Sequence, residues 1–282
     1  MLRFRPSRAI VGAVIEPSAA ATAGAWEAAS RPMRRIGHAI EAHDAIGSTN
    51  DRARVLLGLA DGDGRVVVAE EQTAGRGRRG REWLSPPGLN LLVSVALRPR
   101  LAAADAWQLG LAAALAAADA CAATAPVTLK WPNDLVSVSG RKVGGLLIET
   151  MAGGERLSGA VVGAGINANW RQAAMPADLL ETAISLADLA GAPVDRVALL
   201  GRLLEALEAE LDAIEAGRSP LDRYRARCST LGRTVSVATP DRTVTGRAVD
   251  LDPAGALVVE ADDGRHAISS GEVVRVAPGG AA

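Results

Sequence analysis

The sequence predicts an α+β protein that ends in a small all-β unit. Three observations carry that expectation. Five short apolar runs with strand character lie between Gly64 and Asn169, and long alanine- and leucine-rich runs have helical texture. From Arg233 onward, short β-branched runs alternate with turn signals such as DPAG and DDGRH. A chain of 282 residues has room for one medium domain and a small companion.

Taken in order, residues 1–36 read as a poorly ordered extension. Early arginines and small residues give its start the look of a targeting segment, but Glu16 ends the apolar run after seven residues. It shows no pair of amphipathic helices, so no helix-turn-helix is expected there. The main unit is expected over 37–229. In GSTNDRARVLL (Gly47–Leu57), Ser48 is a good helix N-cap and Asp51 follows three residues later, as in a capping box. Gly64–Thr73 reads as a strand that runs into GRGRRGREW (Gly75–Trp83). Gly88–Pro99 is a second strand, too apolar to have a wet face and therefore central. Ala102–Ala123 reads as a helix. VTLKWPND (Val127–Asp134) is a short strand ended by Pro132 and a turn. Lys142–Gly154 and Glu155–Asn169 are two strands joined at Gly153-Gly154, a hairpin signal. Val194–Ala216 is an amphipathic helix, and Leu221–Arg227 continues helical. A boundary falls at Cys228–Gly232, and 230–278 form a small β-barrel about the size of an SH3-like module.

Composition excludes several function classes. The net charge is −1, so no global field pulls the chain toward nucleic acid or an anionic membrane. The longest apolar stretch is interrupted by Asp119 and reads as a core helix, not a span. Cys121 and Cys228 lie far apart and three histidines supply no ligand spacing, which points to reduced, inert thiols in a cytoplasmic protein.

Four motifs carry chemistry. In GRGRRGREW, glycines let the backbone approach a ligand or adopt positive φ, and arginines offer forked donors to phosphate or carboxylate. In KWPNDL, Lys130, Asn133 and Asp134 form a corner that can take a phosphate together with its Mg²⁺. GRKVGGLLIE places Lys142 at a strand start, with Gly144 and Gly145 in the strand. GAGINAN ends a buried strand at Asn167. Each has a bland counterpart: a solvated turn, an Asn-Asp turn, an edge charge and a tight strand exit.

Together and in this order, GSTN, EEQTAGRGRRGREW, KWPNDL, GRKVGGLLIE and GAGIN resemble the biotin protein ligase family. The resemblance covers Gly47–Asn169 closely, and the later helix and small C-terminal unit suit the same architecture. It implies a central mixed sheet with flanking helices, of class II synthetase-like type, in a catalytic domain over 37–229. It also implies a two-step reaction: biotin and MgATP give biotinyl-5′-AMP, which passes biotin to a lysine of a biotin carboxyl carrier domain of acetyl-CoA or a related carboxylase. On this resemblance Arg76, Arg78 and Lys142 are catalytic, neutralising charge at the α-phosphate. Ser48, Thr49, Asn50, Gln72, Gly77 and Gly144 join them around biotin. Arg78, Arg81, Trp83, Lys130, Asn133 and Asn167 hold ATP and its phosphates, and Asp134 takes Mg²⁺. The partners implied are the carrier and a second copy in a homodimer, without membrane or specific DNA. Family members that double as repressors carry a winged helix, which is not visible here, so a repressor role is not expected. A lipoate or octanoate ligase of the same fold would show a glycine-led His-Asp pair, whereas His43-Asp44 precedes GSTN. A non-enzymatic nucleic-acid binder would use the arginine loop alone and bind in a salt-sensitive way.

Overall fold

The computed structural model describes residues 23–32 and 34–276. Helix α1 (Ala23–Glu27) precedes strand β1 (Ile40–Ile46), helix α2 (Thr49–Leu56) and strand β2 (Val66–Gln72). Strand β3 (Leu91–Leu97) and helix α3 (Ala106–Ala122) follow, then β4 (Val127–Lys130), β5 (Asp134–Ser137), β6 (Lys142–Gly153) and β7 (Arg156–Ile166). Helices α4 (Leu186–Ala190), α5 (Arg196–Glu215) and α6 (Leu221–Arg227) complete the main body.

The seven strands form one sheet in the order β1-β2-β3-β7-β6-β5-β4. β1 and β2 are parallel, because α2 crosses between them, and all other pairs are antiparallel. The sheet is therefore mixed, with flanking helices. β3, apolar but for Ser94, is buried at every residue beside β7 in the middle of the sheet, as its apolar run predicts. Alternation sorts the faces: Val66 and Val68 join the main core under α3 and α5, and Val67 packs with Ala53 and Leu56 of α2. Most of α3 is buried, and its small side chains let α5 lie close against it. α5 starts where Asp195 accepts from the amides of Val197 and Ala198, a capped N-terminus.

The C-terminal strands β8 (Thr234–Ala238), β9 (Thr243–Leu251), β10 (Leu257–Ala261), β11 (Gly264–Ile268) and β12 (Glu272–Val276) form an antiparallel sheet ordered β11-β10-β9-β8-β12, consistent with an SH3-like domain. Cys121 and Cys228 are free and buried, and burial pushes the Cys121 thiol up to about 12.

Three expectations need correction. The extension expected over 1–36 is packed where it is described: Trp26 is buried, and its indole donates to Glu70 Oε1 at 2.8 Å. The reason is electrostatic. Glu70 is buried on β2 and needs donors, which Trp26 and Arg196 supply. Residues 1–22 lie outside the described residues. Ser48 has the extended backbone of an N-cap, but its side chain makes no capping bond, and Asp51 turns to Arg76 instead. β1 and β5 were not foreseen.

Candidate active site

The motifs meet at one cavity of about 310 Å³. β2 carries Gln72 to its rim, and α2 begins there with Ser48, Thr49 and Asn50. The β4–β5 corner brings Lys130, Asn133 and Asp134, β6 begins with Lys142, and Asn167 follows β7. The loop after β2 closes the opposite side with Arg76, Gly77, Arg78, Arg81 and Trp83. All of these predicted positions line the cavity.

Gly144 does not. A Cβ there would lie 2.8 Å from Gly165 O and 3.1 Å from Leu135, inside the sheet, while a Cβ at Gly145 would approach Lys142 and Trp83. Successive strand residues face opposite sides, so the cavity position is Gly145. Gly163 and Gly165 on β7 were also missed. A Cβ at Gly163 would meet Asn50 Oδ1 at 2.1 Å, and one at Gly165 would meet the Trp83 ring at 2.5 Å. Gly271 and Glu272, from the small sheet, complete the lining from far along the chain.

The arginine loop is held by its own charges. Arg76 pairs with Asp51 (2.8 Å), which holds the Asp51 carboxyl below its ordinary range. Arg78 donates to Asn133 Oδ1 and to Gly271 O, both at 3.3 Å, and Arg81 pairs with Glu272. Burial, and then the neighbouring Arg79, lowers the Arg78 guanidinium from its usual value. An arginine there stays charged, and an anion beside it would offset both the lost hydration and the repulsion from Arg79. The left-handed residues of the loop are Arg79 (φ 58°) and Gly80 (φ 71°), while Gly77 is extended. Gly75 serves a different need: a Cβ would lie 2.9 Å from Trp83 O. Arg79 is the single non-glycine residue with positive φ among the described residues, a strained position on a cavity wall.

Lys142 Nζ lies 2.7 Å from Asp134 Oδ1 and 5.4 Å from the Trp83 ring centroid. Asn133 is oriented by donating to Leu146 O (2.8 Å), which turns its oxygen toward Arg78. The corner is anchored by Trp131: its backbone amide donates to Thr230 Oγ1 (3.0 Å) and its indole to Gly255 O (3.2 Å). Gly255 has φ 76°, and a Cβ there would meet Trp107 at 2.7 Å. The arrangement sets six cations, Arg76, Arg78, Arg79, Arg81, Lys130 and Lys142, against a wall of amides and hydroxyls, chemistry suited to bringing two anionic groups together.

Comparison with known proteins agrees with this geometry. Residues 45–167 match the model of the biotin/lipoate A/B protein ligase family, and residues 230–276 match the biotin protein ligase C terminal domain. The chain is 38% identical over 240 residues to the biotin–[acetyl-CoA-carboxylase] ligase of Mycobacterium tuberculosis, covering 82% of this chain and 86% of that protein. It is 32% identical over 242 residues to the bifunctional ligase/repressor BirA of Bacillus subtilis, covering 84% of this chain and 74% of that protein. The structure of the biotin protein ligase from Aquifex aeolicus in complex with biotin and ATP aligns with a TM-score of 0.69 at 30% identity, covering 85% of this chain and 98% of that one. With both models matched in chain order and relatives above 30% identity over most of their length, the chain belongs to the biotin protein ligase family.

Proposed function

We propose that this cavity performs biotin–protein ligation and that the protein is a biotin–[acetyl-CoA-carboxylase] ligase. The observation that carries the reading is the meeting of Arg76, Arg78 and Lys142 in one cavity with Thr49, Asn50 and Gln72. The first group suits phosphate and carboxylate, and the second suits a neutral group rich in donors and acceptors.

In the first step the biotin carboxylate attacks the α-phosphorus of ATP, giving biotinyl-5′-AMP and pyrophosphate. Both reactants are anionic, so Arg76, Arg78 and Lys142 offset their repulsion and the charge that develops at phosphorus. Ser48, Thr49, Asn50 and Gln72, with Gly77 and Gly145, hold the biotin end. Arg81, Trp83, Lys130, Asn133 and Asn167 serve the ATP end. Asp134 is the residue that would hold Mg²⁺. A single carboxylate beside the amide oxygen of Asn133 is the kind of donor set that Mg²⁺ takes when phosphate oxygens and water supply the rest of its shell. In the second step a carrier lysine amine attacks the acyl carbon of the mixed anhydride, the amide forms, and AMP leaves. No enzyme nucleophile is required, and positioning supplies most of the catalysis.

The catalytic unit is assigned to 37–229 and the small C-terminal unit to 230–278. The carrier is the biotin carboxyl carrier domain of acetyl-CoA or a related carboxylase, and the compartment is the cytoplasm. No helix among the described residues is long and apolar enough to cross a membrane. Specific DNA binding is not part of this reading, since a net charge of −1 provides no basic field. A homodimer is the assembly to test by sedimentation. The deciding experiment is biotin-dependent ATP–pyrophosphate exchange, followed by transfer to an isolated carrier domain. Exchange driven by lipoate and not by biotin would overturn the reading in favour of a lipoate ligase.

A further inference from the structure

The polar end of the cavity is wired to a carboxylate that does not line it. Glu149, on β6, accepts from Asn50 Nδ2 at 2.9 Å and pairs with Arg54 at 2.8 Å. On the other side of Asn50, Oδ1 lies 2.6 Å from the hydroxyl of Ser94, a fully buried residue on β3. Ser94 Oγ is also 2.7 Å from Thr49 Oγ1, which lies 3.0 Å from Gln72 Oε1. Gln72 Oε1 accepts the Thr49 backbone amide at 2.8 Å.

The two ends of this chain each have one polarity. The Glu149 carboxylate only accepts, so Asn50 must turn its NH₂ toward it and its oxygen toward Ser94. That oxygen also only accepts, so the single Ser94 proton goes to Asn50. Ser94 has spent its only proton, so the Thr49 hydroxyl proton closes the 2.7 Å contact with Ser94, the shorter of its two, and leaves Gln72 Oε1, 3.0 Å away, to the Thr49 backbone amide. The Thr49 amide only donates, so Gln72 turns its oxygen to it. What remains for the cavity is a defined pattern: a lone pair on Thr49 Oγ1 and the NH₂ donors of Gln72. Gly163 makes the chain sterically possible, since any Cβ there would displace the Asn50 oxygen.

We propose that Glu149 is a positioning residue which, acting through Asn50 and Ser94, makes the Thr49 hydroxyl an acceptor toward the cavity, beside a Gln72 whose NH₂ is already aimed there by the Thr49 backbone amide. The site thereby selects a ligand edge that presents an N–H beside a carbonyl, as a cyclic urea does. This rests on the reading of the cavity as a biotin site and adds residues to it that touch no substrate.

The test compares Glu149→Gln, Ser94→Ala and Arg54→Ala in pyrophosphate exchange driven by biotin or by 2-iminobiotin, whose ring carbonyl is replaced by an imine. Glu149→Gln keeps size and shape but can donate, so the chain loses its fixed direction. The expected result is a rise of about tenfold in KM for biotin, the effect of one misdirected buried hydrogen bond, with KM for ATP unchanged within about twofold. The preference for biotin over 2-iminobiotin should narrow by a similar factor, and Ser94→Ala should reproduce the pattern. Arg54→Ala removes the ion pair but leaves Glu149 on Asn50, so its preference should match wild type. Equal losses for both ligands, or the same behaviour in Arg54→Ala, would show that Glu149 merely holds α2 in place and would overturn the proposal. A wild-type protein that shows no exchange with biotin would instead overturn the biotin reading itself, and this inference with it.

Discussion

Replacing Lys142 with alanine tests the catalytic role proposed for one charge on the cavity wall. The fold should tolerate it, because the backbone bonds of this residue are independent of the side chain: its amide donates to Thr182 O (2.7 Å) and its carbonyl accepts from Ile184 N (2.9 Å). The ion pair with Asp134 is partly exposed, with the Lys142 side chain 37% accessible, so its loss costs about 1 kcal/mol or less of stability. Chemistry should suffer far more. Removing one preorganised donor to a developing anion costs about 3 kcal/mol, or about a hundredfold in rate. Pyrophosphate exchange measures adenylate formation directly, and transfer from preformed biotinyl-5′-AMP measures the second step. Exchange should fall by about a hundredfold or more, and transfer by less, since the repulsion between carboxylate and ATP has already been overcome. Near-normal exchange in a folded variant would remove Lys142 from the mechanism.

Other outcomes follow from the packing. Trp26→Ala should lower stability by about 3–5 kcal/mol, through a cavity and a buried Glu70 deprived of a donor; an unchanged urea midpoint would show that the segment is not part of the fold. Trypsin should cut the arginine loop first at exposed Arg79 and Arg81, with strong protection by biotin plus MgATP and less by ATP alone. Equal cleavage with and without ligands would refute closure of this loop over the site. Gly165→Val places its Cβ within 2.5 Å of the Trp83 ring, so it should displace the ring and speed loop cleavage in the unliganded protein; wild-type cleavage rates would show that the ring has another place to go.

Much of this was legible where a pattern left one solution. β3 is apolar but for Ser94 and fits a central strand, and the hairpin of β6 and β7 turns at Gly154-Glu155, one residue past the expected Gly153-Gly154. The candidate cations stood out because four arginines in a glycine loop and a lysine at a strand start are costly arrangements without an anion. β1 was not, because Glu41, His43 and Asp44 mask an edge strand with polar residues. β5 hides behind Asn133-Asp134, which read as a turn and are also its entry. The choice between Gly144 and Gly145 depends on strand phase, and a pair of glycines carries no side chain to report it. Glu70 looks like a surface charge until Trp26 and Arg196 are seen around it, and no local signal joins residues so far apart.

The hold of Trp131 on the small sheet bears on how freely this enzyme can be recombined. A module attached by a linker can be exchanged for a homologous one at the cost of the linker alone. Here the residue between Lys130 and Pro132 bonds to Thr230 and Gly255, and the indole of Trp107 occupies the space that any side chain at 255 would need. A chimera that brought in a foreign C-terminal unit would inherit the supports of the β4–β5 corner or lose them according to two positions, a hydroxyl at 230 and a left-handed glycine at 255. Interchangeability in this fold is thus decided by the seam.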